Sequence, residues 1–379
     1  MMNQRLVNGT SAYCLEFRDM KKILLLSNYQ RGVGGINAQV DLLHTYLNQE
    51  DGVKADIFST KGNPLKRAWQ MIKLLYSAKK YDVLHIHACS YWGMMPAVMG
   101  VWAGKLWHKR IVVTYHGGGA EEYFAKHIRF VKCWLNRADQ VVVLSEFLKD
   151  IFDCYAIPCE VIPNVVVLQP QKIRERDIAP RFISIRHLEP LYNIPCILQA
   201  YEQVLKVYPD ATLDILGKGS MREQLEQYVV DRKLTGVQFI GQVPNEQIYE
   251  YLDKADIMLS ASRADNMPVS LLEAMNAGLL VISSRVGGVP YMIEEYDIAI
   301  GYGQWAIDDE TNRQSPIANR PNKATGLLFE SGNANELAEK IIWALEHPEE
   351  VKQIIEQAQT EVQKYAWENV KHQLMKVYE

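Results

Sequence analysis

The sequence predicts an α/β protein with two doubly wound, Rossmann-like domains that face each other across a cleft. Short apolar runs rich in Val, Ile and Leu alternate with stretches of helical periodicity, and these runs form two series. A polar linker separates the two series. Uninterrupted apolar strands between helices are typical of parallel sheets that are covered on both faces.

Ten candidate strands define the two domains. The first series is KILLLS (22–27), ADIFS (55–59), DVLHIH (82–87), RIVVTY (110–115) and QVVVL (140–144). The second series is RFISIR (181–186), ATLDIL (211–216), VQFIG (237–241), ADIMLS (255–260) and LLVISS (279–284). The linker VVLQPQKIRERDIAP (166–180) carries prolines and no periodicity. We therefore expect domains at 20–167 and 181–360, a C-terminal helix within 361–379 and an unstructured tail at 1–19.

Composition narrows the class of protein. The 379 residues are 48% hydrophobic and 23% charged, which is an ordinary globular balance. A net charge of −4 argues against general nucleic-acid binding. The six cysteines are scattered without a C-x-x-C pair, which favours a reduced, cytoplasmic setting. No apolar run reaches the ~18 residues of a membrane span, and residues 1–19 lack the basic-then-apolar order of a signal peptide.

Glycines and histidines follow the strands of the first domain. Gly34 and Gly35 precede a predicted helix, where they either let backbone N–H groups approach an anion or form a tight turn. The third strand ends in HIHAC, which suggests either a metal site or, as we favour, a polar strand end lining the cleft. His116 stands at the tip of the fourth strand before three glycines, where it either donates to a ligand or caps the loop.

Basic residues follow two strands of the second domain. Arg186 is a candidate clamp for phosphate oxygens, and Lys218 lies in a Gly-Lys-Gly turn at a neighbouring strand end. The alternative for a single arginine is an ordinary surface ion pair.

Glu273 raises a question because it lies in the apolar run VSLLEAMNAG, which follows Pro268 at the start of a helix. An unpaired buried carboxylate is costly, so it needs hydrogen-bond donors. The two hydroxyls of a ribose are such donors, and an internal ion pair with Lys or Arg is the alternative. Asp265, eight residues earlier, lies where a second set of hydroxyls would meet it.

Over nearly all of residues 20–379 the chain resembles the retaining family 4 glycosyltransferases, which have the GT-B fold. The strongest marker is DNMPVSLLEAMNAG followed by LLVISSRVGGVP. The supporting markers are the Gly-rich loop at 32–35, DVLHIH, VVTYHGG, ADQVVVLSE and VIPNVV. The family pattern is an acidic residue, seven residues and then Glu, which here runs from Asp265 to Glu273 with Asp in place of the commoner first Glu.

The resemblance implies roles for these residues. Glu273 would bind the ribose of a nucleotide-sugar donor, and His116 would lie beside the donor sugar. Asp265 and the backbone of Asn266, Met267 and Pro268 would hold the sugar and the distal phosphate, while Gly34 and Gly35 would close over the donor phosphate and the acceptor. The catalytic candidates are thus His116, Arg186 and Asp265, with Lys218 as a further donor-binding residue. The C-terminal helix would cross back onto the first domain.

Two departures from the family pattern stand out. The family usually has Gly-Arg at the first strand tip of the second domain and Lys-Gly a few residues later. Here these positions read Arg186-His187 and Tyr192-Asn193, so the lysine is missing and Lys218, Arg222 or Arg263 would have to substitute. The polar insertion at 296–324 is longer than the family's usual connection, and loops of that length are often functional.

The expected activity is transfer of a sugar, with retained anomeric configuration, from a nucleotide diphosphate sugar to a hydroxyl acceptor in surface polysaccharide or glycolipid synthesis. We expect no metal and no cofactor, and we favour a UDP-sugar as the donor. The alternatives are a nucleotide-sugar epimerase, a glycan phosphorylase and a non-catalytic partner subunit of the same fold.

Residues 64–80 alternate basic and apolar side chains and predict a helix that contacts a membrane surface. An ordinary core-facing helix with a solvated basic face is the equal alternative. If the membrane contact exists, the acceptor would be a lipid-linked glycan at the inner face of the cytoplasmic membrane. A soluble acceptor stays open.

Overall fold

The structure is a computed structural model that describes residues 20–30, 35–169, 177–296 and 323–379. Two six-stranded sheets form its two domains, in the orders β2-β1-β3-β4-β5-β6 and β12-β11-β10-β7-β8-β9. The pairings between these strands are parallel. The predicted fold class, with two doubly wound α/β domains, is therefore confirmed.

The first sheet comprises β1 (Lys21–Ser27), β2 (Val53–Ser59), β3 (Val83–Ala88), β4 (Arg110–Tyr115), β5 (Gln140–Val143) and β6 (Glu160–Val161). The second comprises β7 (Arg181–Ile185), β8 (Thr212–Leu216), β9 (Val237–Gly241), β10 (Ile257–Ser260), β11 (Leu280–Ser284) and β12 (Leu327–Phe329). All ten predicted strands exist. Strands β6 and β12 were not predicted, because at two and three residues they are too short to show a periodicity.

The helices cover both faces of each sheet. In the first domain they are α1 (Gly35–Leu47), α2 (Pro64–Ala78), α3 (Met95–Leu106), α4 (Ala120–Leu135) and α5 (Glu146–Cys154). In the second they are α6 (Ile194–Val204), α7 (Arg222–Asp231), α8 (Ile248–Leu252), α9 (Val269–Asn276), α10 (Val289–Met292), α11 (Ala334–Glu346) and α12 (Pro348–Glu361). The last helix is α13 (Trp367–Val377). Among the residues that the structure describes, no helix combines the length and the apolar character that crossing a bilayer requires.

Helix α13 packs on the first sheet rather than on the second. Its Val370 and Leu374 are buried in the same apolar cluster as Ile23 and Leu25 of β1. Trp367 stacks on Tyr46 of α1 with ring centroids 5.2 Å apart. The chain therefore returns to the first domain after it has built the second.

The strand orders indicate where in each domain a ligand crevice is expected. In open α/β sheets, ligands bind outside the carboxyl ends of the strands, at the point where the strand order reverses. In the first sheet this point lies between β1 and β3, and in the second between β7 and β10. Arg186 directly follows β7, and the segment 261–268 directly follows β10.

Candidate functional site

The loops at the carboxyl ends of the two sheets contact each other. Ser145 Oγ donates to Asn266 Oδ1 at 2.5 Å. The backbone N–H of Asn164 donates to the sulfur of Met267 at 3.2 Å. A Cβ added at Gly118 would stand 3.3 Å from the backbone nitrogen of Asn266. The loop after β10 is thus held against the first domain at three places.

Two glycines support that loop from the other side. Gly288 N–H donates to the backbone oxygen of Asp265 at 3.1 Å. An added Cβ at Gly287 would stand 2.0 Å from the same oxygen, and one at Gly288 would stand 2.1 Å from the oxygen of Asn266. Gly287 also has φ of +50°, in the left-handed region that favours glycine. The close approach of the 265–266 backbone therefore requires glycine at positions 287 and 288.

Glu273 lies in α9 and is half-buried. Its side chain makes no hydrogen bond and no ion pair with any residue that the structure describes, so the predicted alternative of an internal ion pair is not found among them. Burial raises the pKa of this carboxyl to about 7, and the positive charge of Arg186 opposes the rise. The side chain is thus an acid without a donor, in the wall of the crevice beside Arg186.

Arg186, after β7, and Asp265, after β10, form an ion pair in the crevice of the second sheet. Nη2 of Arg186 lies 3.2 Å from Oδ2 of Asp265, and the two side chains are 10% and 17% exposed. Asp265 Oδ1 accepts from the N–H of Asn266 at 2.9 Å. The guanidinium also lies 5.7 Å from the ring centre of Tyr192, which stands where the family usually has a lysine. The structure therefore brings together Arg186, Asp265 and Asn266 of the predicted site.

Buried polar atoms in this cluster have few partners. Arg186 Nε and Asn266 Nδ2 make no hydrogen bond to the described residues, and Asp265 Oδ2 has only its ion pair with Arg186. A buried polar atom without a partner costs about 1–3 kcal/mol, so natural proteins rarely leave several of them together. Their position around one crevice is what a polar ligand would satisfy.

The three basic residues predicted to replace the missing lysine differ in whether their side chains are free to bind a phosphate. Lys218 and Arg263 are exposed, and their backbones are held against the loop that follows β7. Leu188 N–H donates to the oxygen of Lys218 at 3.0 Å. Arg222, in contrast, pairs with Glu226 of its own helix at 2.8 Å. Lys218 and Arg263 are therefore better placed than Arg222 to add positive charge at the crevice.

His116 belongs to a cluster of three neighbouring histidines in the first domain. Its Nε2 lies 2.9 Å from Nδ1 of His87, and Nε2 of His85 lies 2.8 Å from Thr114 Oγ1. Nδ1 of His85 meets the hydroxyl of Tyr378, at the end of α13, at 2.7 Å. Burial lowers the pKa of His85 to about 3 and that of His116 to about 4, so these imidazoles are neutral near pH 7.

A small cavity of about 20 Å³ adjoins the three histidines. Nε2 of His87 is buried without a partner among the described residues. Across the described ranges, no group of three or more His, Cys, Asp or Glu has the arrangement of a metal site. The HIHAC motif therefore supports His116 rather than forming a ligand set of its own.

The Gly-rich loop after β1 is only partly described. Gly34 lies outside the described residues, as does most of the 296–324 insertion and all of 1–19. Gly35 begins α1, and an added Cβ there would meet no atom within 4 Å. Open space beside Gly35 is compatible with a ligand, but the predicted contact stays a prediction.

Sequence reasoning missed the contacts that Ser145 and Asn164 make with the 266–267 loop. Both residues lie in segments that were recognised only as family markers, ADQVVVLSE and VIPNVV. Ser145 also caps α5 by accepting from Leu148 N–H at 3.3 Å, a role that its position before an acidic residue would have suggested. Its second bond, to a residue 121 positions away, has no signal in the sequence.

Comparison with known proteins agrees with this architecture. The family described as Glycosyl transferases group 1 matches residues 168–361, and the family described as Glycosyltransferase Family 4 matches residues 47–169. An uncharacterized glycosyltransferase of Methanocaldococcus jannaschii is 23% identical over 94% of this chain and 98% of its own length. The alpha-monoglucosyldiacylglycerol synthase of Streptococcus pneumoniae is 23% identical over 71% of each chain. Among solved structures, Anabaena HepE in complex with UDP-glucose superposes with a TM-score of 0.72 at 18% identity, over 94% of this chain and 98% of that one.

Proposed function

The chain belongs to the family Glycosyl transferases group 1 and is a GT-B glycosyltransferase, and we propose that it transfers a sugar from a UDP-sugar to a hydroxyl acceptor with retention of configuration. The observation that carries the donor assignment is Glu273. It is a half-buried carboxylate without a partner among the described residues, and burial raises its pKa to about 7. Two ribose hydroxyls would donate to it and stabilise its ionised form.

The proposed reaction uses side chains and backbone groups of the crevice. Arg186 leaves Asp265 to bind the donor diphosphate, with Lys218 adding charge from the rim. Asp265, with the backbone of Asn266, Met267 and Pro268, then accepts from and orients the sugar hydroxyls. His116 stays neutral beside the sugar. Preorganised cations and dipoles of this kind stabilise a departing diphosphate in a cleft from which water is excluded.

The acceptor attacks the anomeric carbon on the face that the diphosphate leaves. The new C–O bond forms as the bond to the phosphate oxygen breaks, and that oxygen takes the proton of the acceptor hydroxyl. This route accounts for retention without a carboxylate nucleophile of the glycosidase kind. It also needs no metal, which is tested by measuring transfer in the presence of EDTA.

The first experiment is a thermal-shift panel of UDP-, GDP- and ADP-sugars. We expect UDP-sugars to raise Tm and the others to raise it less. Incubation of the best donor without acceptor then separates the alternatives, because an epimerase would form the free epimer. A non-catalytic subunit would give neither a thermal shift nor sugar transfer. Formation of the free epimer, or the absence of both shift and transfer, would overturn the proposal.

We also propose that the acceptor is a glycolipid or lipid-linked glycan and that the enzyme works on the inner face of the cytoplasmic membrane. The support is an exposed apolar stripe on α2, formed by Leu65, Trp69, Ile72 and Tyr76, which are 84%, 58%, 47% and 71% exposed. These positions lie on one helix face, and Leu74 and Ala78 pack into the core on the opposite side. The helix therefore packs one face on the core and leaves a contiguous apolar stripe on the other face exposed to solvent, a feature typical of interaction surfaces.

Basic side chains flank the stripe, and Lys73 lies 5.6 Å from the ring centre of Trp69. Apolar side chains with lysines beside them are typical of helices that bind anionic membrane surfaces. Sedimentation with vesicles tests this part of the proposal. Binding to anionic vesicles that decreases with salt is expected, and no binding at low salt would refute the membrane contact.

A further inference from the structure

A cavity of about 480 Å³ lies between α2 and α3, outside the donor crevice. This volume falls within the range of small-molecule sites, about 300 to about 1,000 Å³. Most of the lining is apolar: Pro64, Ala68, Met71, Trp92, Met95, Val98 and Met99, with Gly62 and Arg67. Flexible methionines are typical of sites that adapt to a hydrocarbon chain.

Arg67 gives this apolar cavity a charged end. Its Nε donates to the oxygen of Gly62 at 2.8 Å, and its guanidinium lies 5.6 Å from the ring centre of Trp92. Nη1 is buried and has no hydrogen-bond partner, and Arg67 has no ion pair with a carboxylate among the residues that the structure describes. The buried Gln70 beside it also has an unpartnered side-chain oxygen.

The half-buried guanidinium of Arg67 has no counter-ion among the described residues, and Arg binds phosphate oxygens through parallel N–H groups. Two further basic residues are near it in the sequence, because Lys66 is the preceding residue and Lys61 lies three residues before α2. The cavity thus offers one charged end for an anion and an apolar body for a chain.

A series of contacts links Trp92 of the cavity lining to the loops beside the donor crevice. Trp92 at its mouth follows β3 by four residues, and Asn28 Nδ2 after β1 donates to the oxygen of Trp92 at 3.1 Å. Ser90, two residues before Trp92, bonds to the hydroxyl of Tyr115 at 2.8 Å. A Cβ at Gly117 would stand 3.0 Å from Ser90 Oγ, and Gly118 in turn contacts the 265–266 loop. The cavity lining and the donor crevice are therefore joined through short contacts within the first domain and its neighbouring loop.

We propose that this cavity binds the hydrocarbon chain of a phosphate-bearing lipid, with Arg67 on the phosphate. The inference rests on the proposed function, since it names the chemical class of the acceptor: a single-chain lipid phosphate that carries the hydroxyl to be glycosylated. Such a lipid would reach the site from the membrane surface that the α2 stripe contacts.

The probes are octyl, decyl and dodecyl phosphate below their micelle concentrations, with decyl glucoside as the uncharged comparison. Binding is followed by the fluorescence of Trp92, which is 70% exposed at the cavity mouth, with Trp92→Phe identifying its share of the signal. The affinity for alkyl phosphates should rise about fourfold per added methylene until the cavity is filled. Decyl phosphate should bind at least tenfold more tightly than decyl glucoside.

Three variants separate the parts of the site. Arg67→Gln should abolish the preference for phosphate over glucoside. Val98→Trp, at a half-buried position of the lining, should fill the cavity and weaken decyl phosphate binding at least tenfold. Trp69→Ser lies on the exposed stripe and outside the lining, so it should reduce vesicle binding but leave decyl phosphate binding unchanged.

The thermal shift given by UDP is measured on every variant. A retained shift shows that the variant is folded and that donor binding does not depend on the cavity. Equal affinity for decyl phosphate and decyl glucoside in the wild type, or unchanged binding in Val98→Trp, would overturn the inference. Failure of the proposed function is distinguishable, because it would remove the UDP shift or the sugar transfer while the alkyl phosphate series kept its result.

Discussion

Nη2 of Arg186 lies 3.2 Å from Oδ2 of Asp265, so the cation expected to hold the donor diphosphate is paired with the acid expected to hold the donor sugar. The pair is largely buried, and Arg186 Nε has no hydrogen bond to the described residues. A donor would offer phosphate oxygens to one partner and hydroxyls to the other. We therefore regard the ion pair as a resting state that the donor replaces.

Asp265→Asn tests that exchange. Removing the carboxylate frees Arg186 for phosphate, so UDP should bind about threefold to tenfold more tightly. Transfer from a UDP-sugar should fall at least tenfold, because the sugar loses a charged acceptor. Calorimetry with UDP and a transfer assay measure the two effects, with the exposed Asp210→Asn as the control. Weaker UDP binding together with normal transfer would contradict the exchange.

Gly118→Ala tests the contact between the two domains. The new Cβ would stand 3.3 Å from the backbone of Asp265 and Asn266, so the loops must separate by a few tenths of an ångström. Because catalysis depends on close positioning, the transfer rate should fall about threefold to tenfold without loss of Tm. Gly119→Ala is the matched control, since no atom lies within 4 Å of its Cβ position. An equal effect of both substitutions would argue against the interdomain contact as the cause.

Tyr378→Phe tests how α13 is held on the first domain. The substitution removes the hydroxyl 2.7 Å from His85 Nδ1 and leaves a buried imidazole nitrogen without its partner. The free energy of unfolding should decrease by about 1–3 kcal/mol. Tyr76→Phe, at a position that is 71% exposed, should change it by less than about 0.5 kcal/mol. Denaturant titration at pH 7 measures both, and equal stability of the two variants would remove the role assigned to Tyr378.

The pH dependence of nucleotide binding follows from Glu273. Its pKa is raised to about 7 in the free protein, and hydroxyl donors favour its ionised form, so the pKa should fall when UDP binds. Binding then releases a proton below pH 7, and UDP affinity should decrease as the pH falls from 7 toward 5, by up to about tenfold per unit. Ionisation of UDP itself adds to the trend, so Glu273→Gln is measured in parallel and should show a shallower slope. His116 should not contribute there, because burial lowers its pKa to about 4.

Much of the fold could be predicted because most of its strands and helices have strong local sequence patterns. Continuous apolar runs such as KILLLS and RIVVTY have no alternative to a buried strand once helical stretches flank them. The short strand β12 (Leu327–Phe329) could not be recognised alone, since three apolar residues fit any buried element. Its place at the edge of the second sheet depends on tertiary pairing with β11.

The sequence identified several residues of the candidate site, but it did not show which of them contact each other. Arg186 and Asp265 were identified separately, and no sequence spacing shows that residues 79 positions apart meet as an ion pair. The pairing of Arg222 with Glu226 was readable, because four-residue spacing places both on one helix face. The helix at 64–80 was ambiguous because its sequence mixes apolar and basic residues on both faces. Only packing shows that Leu74 is buried while Leu65 and Trp69 are exposed.

The most direct test of the account measures Glu273→Gln in a thermal-shift experiment at pH 8, with and without UDP. A carboxyl whose pKa is raised from 4.5 to about 7 by folding destabilises the fold as the pH rises through that interval, and the cost remains at pH 8. The glutamine variant without ligand should therefore be more stable than the wild type by up to about 3 kcal/mol at pH 8, and equally stable near pH 4.

The same variant should lose most of the stabilisation by UDP, because the amide is a weaker acceptor for the ribose hydroxyls. The exposed Glu356→Gln should behave as the wild type in both respects. Loss of the UDP shift in a variant that is itself more stable is the result that the account predicts. An unchanged UDP shift in Glu273→Gln would contradict the assignment of Glu273 to the nucleotide.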